Sequence, residues 1–428
     1  MSNEATSCSF CGVVQSNESP LIAGREGYIC EACVRLASQV IDSWSHRRAM
    51  AAAHGPVPKP KELKAKLDEY VVGQDLAKEI MSVAVYNHYK RLKSFSAGAW
   101  NATEDVELGK SNILVLGPSG SGKTLIASTL ARIVGVPYVV ADATTLTQAG
   151  YVGEDVESVL TRLLEVAEGN EERAEWGIVY LDEIDKLARS SEAPTGVRDV
   201  SGEGVQQALL KLVEGSEVKV PQKGKRRDGG SEVLMNTANI LFIAGGAFAG
   251  LEEIVAKRVS PKKTGIGFHA KVDQTTPNLQ DLLDMVQPED LRRFGLIPEF
   301  IGRFPVLAAL SPLNEESLIN ILLEPKNSLV KQYQKLFEYD GVKLEFTPEA
   351  VREIAKIALE RGTGARGLRS VLEQLLRKPM FELPSQNGVM RCIVDEKVVR
   401  GECDIELEYV DESDTAIYVN EEVRAGNG

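Results

Sequence analysis

Gly117-Pro118-Ser119-Gly120-Ser121-Gly122-Lys123-Thr124 has the glycine spacing, the lysine and the hydroxyl of a loop that holds a polyphosphate. Glycines let backbone N–H groups turn inward toward phosphate oxygens, and the positive end of the helix that follows adds to their pull. Lys123 reaches the outer phosphates, and the Thr124 hydroxyl is placed to ligate magnesium. Pro118, Ser119, Gly120, Ser121, Gly122, Lys123, Thr124 and Leu125 are therefore the expected nucleotide-binding set. A second motif, an acidic pair, follows downstream in Gly177-Ile178-Val179-Tyr180-Leu181-Asp182-Glu183. A buried strand ending in two carboxylates presents them at its C-terminal tip, where open α/β sheets bind ligands. Asp182 suits the magnesium sphere, and Glu183 suits activation of an attacking water. Together the two motifs point to hydrolysis of ATP with magnesium.

A different chemistry sits near the start of the chain. Cys8-x2-Cys11 and Cys30-x2-Cys33, with eighteen residues between the pairs, have the spacing of a tetrahedral zinc site. So short a segment cannot bury a self-sufficient core, so zinc would supply most of its folding energy. The alternative of two disulfides needs an oxidising compartment. Cys392 and Cys403 stand apart and read as ordinary buried thiols.

The elements that must position these groups follow from periodicity and breaks. Ile113 to Leu116, Ile178 to Leu181 and Ile240 to Ile243 are continuous apolar runs, expected as buried strands of a parallel α/β sheet. Val156, Val159, Leu160, Leu163, Leu164 and Ala167 repeat with helical period, as do Val205, Ala208, Leu209, Leu212 and Val213. Pro56, Pro58 and Pro60 cannot continue a helix and favour a semi-rigid connector. Beyond Pro312 the pattern is mixed, with helical stretches around Glu315 to Phe337, Glu349 to Arg361 and Ala365 to Leu376, then a strand-like run from Ile405 to Val410.

The 428 residues exceed one ordinary core, and roughly two to four domains are expected. The net charge of −13, from 62 acidic and 49 basic residues, repels a phosphate backbone and disfavours nucleic acid as the main partner. No window approaches a membrane span, and the polar N-terminus lacks a signal-peptide layout, so a cytoplasmic protein is expected. His46, His54, His88 and His269 are scattered with no nucleophile elbow, so no peptidase site is expected.

With these residues in place, the chain from Cys8 to about Tyr409 resembles the ClpX family of zinc-bearing AAA+ unfoldase subunits of the Clp protease. The resemblance is carried by the nucleotide motifs together with Leu67-Asp68-Glu69-Tyr70-Val71-Val72-Gly73-Gln74, Gly150-Tyr151-Val152-Gly153, Arg198-Asp199-Val200-Ser201-Gly202-Glu203-Gly204, Ile266-Gly267-Phe268, Pro298-Glu299-Phe300-Ile301-Gly302-Arg303 and Thr363-Gly364-Ala365-Arg366-Gly367-Leu368. It implies an α/β protein with an N-terminal zinc ribbon (1–45), a linker (46–62), an AAA+ P-loop large domain with a parallel sheet (63–311), a small α+β C-terminal domain (312–410) and a frayed acidic tail (411–428).

The same resemblance implies a homohexamer that unfolds tagged or unfolded protein substrates, some brought by adaptors, and threads them through a central pore into the ClpP peptidase, with chaperone action besides. Val71 and Val72 would lie near the adenine, Arg303 would reach a neighbour's γ-phosphate, and Arg366 would contact nucleotide within its own subunit. Tyr151 and Val152 would grip substrate in the pore, with Arg198 and the basic run Lys225, Arg226 and Arg227 also facing substrate. The family commonly carries Arg-Lys-His where this chain has Lys-Arg-Arg, which bears on tag preference. Ile266, Gly267 and Phe268 would dock into the peptidase. A nucleic-acid translocating motor is the alternative; it calls for a basic channel, whereas the expected pore tip is Tyr151.

Overall fold

A computed structural model describes residues 7–16, 20–38, 56–96, 108–147, 154–188, 202–221, 232–259, 278–386 and 388–409. Tyr151, Val152, Arg198, Lys225, Arg226, Arg227, Ile266, Gly267, Phe268, residues 46–55 and the acidic tail lie outside the described residues.

The cysteine-bearing segment forms a hairpin in which Leu21–Ala23 pairs antiparallel with Tyr28–Cys30, and residues 31–38 are helical. Its apolar side chains are largely at the surface, Phe10 at 77% and Ile22 at 58% exposure, while Cys8 and Cys30 are buried. The described residues this module buries are two of its four cysteines, with Cys33 part buried and Cys11 exposed, as expected of a fold held by metal rather than by a hydrocarbon core.

The region that carries the phosphate loop, within a separate compact unit, is built on a five-stranded sheet. Its strands are β1 (Ile113–Leu116), β2 (Tyr138–Asp142), β3 (Ile178–Asp182), β4 (Leu241–Gly246) and β5 (Val306–Ala309). They lie in the order β5-β1-β4-β3-β2, every neighbouring pair parallel. β1 and β4 are buried at every residue because helices cover both faces of a parallel sheet. The outer strands β2 and β5 are only part buried, and their weaker apolar runs are the ones periodicity did not mark. Asn112, 1% exposed, laces the sheet across its middle: its amide donates to the Arg303 carbonyl at 2.9 Å, and its oxygen accepts from the Phe242 N–H at 3.2 Å.

This order has a direct consequence for the site. β4 lies between β1, which feeds the phosphate loop, and β3, which ends in Asp182. All three C-terminal ends therefore open on one edge of the sheet.

The small domain packs helices Glu315–Leu323, Leu329–Tyr339, Pro348–Glu360 and Ala365–Glu382 on a three-stranded sheet. Val389–Val394 is its central strand, parallel to Lys343–Phe346 and antiparallel to Glu406–Tyr409. The helical stretch expected around Glu315 to Phe337 is two helices, with Pro325 in the break between them. Cys392 is buried as expected, but Cys403 is not: it is exposed in the turn after the Glu396–Arg400 helix, with its sulfur 3.9 Å from Asp395 Oδ1. A turn residue has no sheet or helix face to bury it, which corrects the reading of Cys403 as a core thiol.

The segment ahead of the sheet binds to the junction with the small domain and to the small domain itself. Gln74 Nε2 donates to the Ser311 carbonyl at 2.9 Å, and Ser311 N–H donates to Gln74 Oε1 at 2.8 Å. Lys326 repeats the link, its N–H donating to the Glu69 carbonyl at 2.9 Å and its ammonium pairing with the Glu69 carboxylate at 2.6 Å.

Candidate nucleotide and zinc sites

The phosphate loop leaves β1 at Leu116 and enters the helix Lys123–Val134 through Gly122, whose φ of +101° is a conformation that costs a residue with a Cβ. Lys123 is 9% exposed, and its ammonium donates to the carbonyls of Gly117 at 2.6 Å and Pro118 at 3.0 Å, which keeps the loop curled. Burial lowers its pKa, opposed by the nearby Asp182 and Asp185 carboxylates. The Ser121 hydroxyl is buried with no hydrogen-bond partner among the described residues. An orphaned donor inside a loop of inward N–H groups fits a phosphate.

Thr124 Oγ1 donates to Asp182 Oδ2 at 3.3 Å across 58 residues of sequence, joining the two motifs. Asp182 Oδ1 accepts from the Glu183 N–H at 3.0 Å. Glu183 itself is exposed with φ of +56°, a left-handed conformation that strains a non-glycine residue and here turns its carboxylate out of the strand into the cleft. A hydroxyl and a carboxylate sharing one hydrogen bond beside a phosphate loop are the donor set that magnesium requires.

The cleft beside them measures about 1000 Å³ and is walled from two sides. Lys123, Thr124, Leu125, Asp182 and Glu183 line it from the sheet edge, and Ile321, Leu329, Arg366 and Arg369 from the small domain. Tyr70 lines the cleft, its ring 4.4 Å from the Arg132 guanidinium, whereas Val71 and Val72 are not among the lining residues. Arg303 is also outside the cleft of its own chain; it is half exposed and pairs with Glu214 at 2.7 Å.

Sequence reasoning does not single out Asp185. It is 7% exposed, lines the cleft, and its Oδ1 accepts from the Ala247 N–H at 3.2 Å, tying the turn after β3 to the end of β4. The signal was a third carboxylate two residues beyond Glu183, where the turn buries it. Nor does the sequence reveal a backbone contact between the phosphate loop and the small domain. The Ala365 N–H donates to the Gly120 carbonyl at 3.3 Å, and a Cβ on Gly364 would fall 2.9 Å from the Ser119 oxygen.

In the N-terminal module, the sulfurs of Cys8, Cys11, Cys30 and Cys33 all lie within 4.8 Å of one another, with Cys11 and Cys30 3.6 Å apart. Tetrahedral zinc with bonds of about 2.3 Å sets its sulfurs about 3.8 Å apart, so the four fit one ion. The Cys30 N–H donates to Cys8 Sγ at 3.3 Å, and the Cys33 N–H to Cys30 Sγ at 3.4 Å, contacts that orient thiolates. Backbone N–H donation, led by Cys11, lowers the Cys8 thiol to about 6, whereas the hydrogen bonds with Cys11 and Cys30 raise Cys33 to about 12. The chemistry that zinc supplies is a dication that lets all four sulfurs ionise together.

A parallel sheet with a phosphate loop after its first strand and an acidic pair after its third, joined to a helical small domain and a four-cysteine site, defines a zinc-bearing P-loop ATPase of the AAA class. Comparison with known proteins agrees along the chain. Residues 109–307 match the model of the AAA domain (Cdc48 subfamily), 313–394 that of the C-terminal D2-small domain of ClpB protein, and 6–43 that of the ClpX C4-type zinc finger. Among curated relatives, the ATP-dependent Clp protease ATP-binding subunit ClpX 3 of Methylococcus capsulatus is 63% identical over 407 residues, 94% of either chain. The ClpX subunit of Azotobacter vinelandii is 56% identical over 91% of this chain and 88% of its own. That of Treponema denticola is 49% identical over 92% and 93%. The chain belongs to the ClpX family, and it is an AAA+ ATPase whose cofactors are ATP, magnesium and zinc.

Proposed function

We propose that the chain works as a homohexameric, ATP-driven protein unfoldase that threads tagged or unfolded substrates into the ClpP peptidase and remodels proteins as a chaperone. The observation that carries this reading is the placement of its two arginines. Arg366 lines the chain's own cleft, while Arg303 stands half exposed outside it, held by Glu214. A guanidinium that serves phosphate yet misses its own site is suited to the site of an adjoining subunit, so hydrolysis is shared across a ring seam. The relatives named above are ATP-binding subunits of the Clp protease, which supports ClpP as the partner.

In this reading Lys123 and the loop from Pro118 to Leu125 hold the triphosphate, Thr124 and Asp182 hold magnesium, and Glu183 takes the proton of the attacking water. Magnesium, when bound, supplies charge that stabilises the phosphate oxygens. Val71 and Val72 back the adenine end behind Tyr70. Tyr151 and Val152 grip the threaded chain, Arg198 and the run Lys225, Arg226 and Arg227 meet substrate at the pore, and Ile266, Gly267 and Phe268 dock the peptidase. The working location is the cytoplasm; among the described residues no helix is long and apolar enough to cross a membrane.

Degradation of a tagged, stably folded protein, with ATP and with ClpP present or absent, tests the reading. Degradation needs both, and Glu183→Gln retains ATP and substrate but stops unfolding. Continued degradation by that variant would refute the role of Glu183. Failure of the intact chain to unfold any client would refute the whole reading.

A further inference from the structure

Tyr180 lies on β3 two residues before Asp182, so the two side chains share one face of the sheet. It is fully buried, paired with Val140 on β2 and Ile243 on β4. Its hydroxyl does not stay at that level. It reaches along the strands to Gly245, where an added Cβ would lie 2.0 Å from the phenolic oxygen, so Gly245 is the residue that leaves it room. Gly245 stands one step beyond the Ala244–Leu181 pair, at the height of Asp182. The polar side chains that act on the hydroxyl there are those of Thr124, Asp182 and Tyr138. None gives it a hydrogen bond of normal geometry, and it has no hydrogen-bond partner among the described residues.

A buried hydroxyl without a partner is destabilising, and phenylalanine would fill the same volume without that cost. Two positions are nevertheless given over to keeping it, Tyr180 for the oxygen and Gly245 for the space. Asp182 Oδ2 accepts from Thr124, and Oδ1 accepts from the Glu183 N–H, so each oxygen has one donor and room for another.

We propose that Tyr180 is a positioning residue for the ATPase reaction: its buried hydroxyl, waiting beneath Thr124 and Asp182, completes their hydrogen bonding when the metal–nucleotide complex is bound and fixes both in the orientation that holds it. The inference rests on the reading of Thr124 and Asp182 as the groups on the magnesium side. Outer-shell donors of this kind change metal affinity or activity by about ten- to a hundredfold when removed.

The test is Tyr180→Phe in the full chain, which deletes one oxygen. Equilibrium binding of a fluorescent ATP analogue is measured in EDTA and across a magnesium titration, alongside thermal unfolding of the ligand-free protein. We expect unchanged binding in EDTA, a half-saturating magnesium concentration raised by about tenfold or more, and a ligand-free melting temperature equal to or above that of the parent. An unchanged magnesium titration, whatever the melting temperature does, would overturn the proposal. A parent protein whose nucleotide binding ignores magnesium would overturn the reading of Thr124 and Asp182 and the proposal with it, which separates the two failures.

Discussion

Replacing Gly364 by alanine should uncouple the small domain from the phosphate loop. The new Cβ would sit 2.9 Å from the Ser119 oxygen and 3.1 Å from Gly120 Cα, both backbone atoms that no side-chain rotation can move aside. An unstrained carbon–oxygen approach is about 3.3 Å or more, so the two segments must separate by a few tenths of an ångström. The bond from Ala365 N–H to the Gly120 carbonyl, at 3.3 Å, has little slack for that separation. Arg366 is the second residue of the helix that Ala365 begins and lines the cleft, so it moves with the displaced turn. Loss of one hydrogen bond from a charged group is worth about 1.5–3 kcal/mol, or roughly ten- to a hundredfold in nucleotide affinity. Backbone strain alone must be separated from this effect, because Gly364 has φ of +58°. Gly362→Ala provides the control: its φ is +65°, and an added Cβ there meets nothing within 4 Å. Titration of both variants with a fluorescent ATP analogue should show weakened binding for Gly364→Ala only, with both losing stability. Equal affinity in the two variants would refute the argument.

Asp185 can be tested by comparing two replacements. Asp185→Asn keeps an acceptor for the Ala247 N–H and should retain most steady-state ATPase, while Asp185→Ala leaves that part-buried donor without its partner and should lose about 1 kcal/mol of stability and most turnover; matching losses would show that the charge, not the bond, matters. Removal of zinc by a chelator should open the N-terminal hairpin to limited proteolysis within residues 7–38 while ATPase from the separate unit persists. An unchanged digestion pattern, with zinc loss verified by metal analysis, would mean that the module does not depend on the ion.

The chemistry was legible wherever it is contiguous. Eight residues from Gly117 to Thr124 carry their own geometry, because glycine torsions and a helix start are local properties. The central strands β1, β3 and β4 were legible for a related reason, since burial on both faces leaves an unbroken apolar run. The outer strands β2 and β5 are half-wetted and were not legible, nor was the exposure of Cys403, which depends on where a turn falls on the surface. The places of Tyr70 and Asp185 in the cleft, and of the buried Tyr180 at the height of Asp182, are not legible in the sequence, because a polar side chain beside apolar neighbours announces nothing until its surroundings are known.

The sequence by itself thus determined what the parts are: a phosphate loop, an acidic strand end, a four-sulfur metal site and the alternation of strands and helices that carries them. Those features arise from torsional and short-range forces acting within a dozen residues. Only the tertiary structure decided which parts meet. The strand order sets β4 between the strands that carry the phosphate loop and Asp182 and brings Thr124 to Asp182, while the packing of the small domain admits Arg366 to the cleft and Arg303 stays outside it. Such meetings follow from how apolar faces pack against each other over long stretches of chain. Burial energy depends on area and shape rather than on any single residue's identity, so no local motif encodes them.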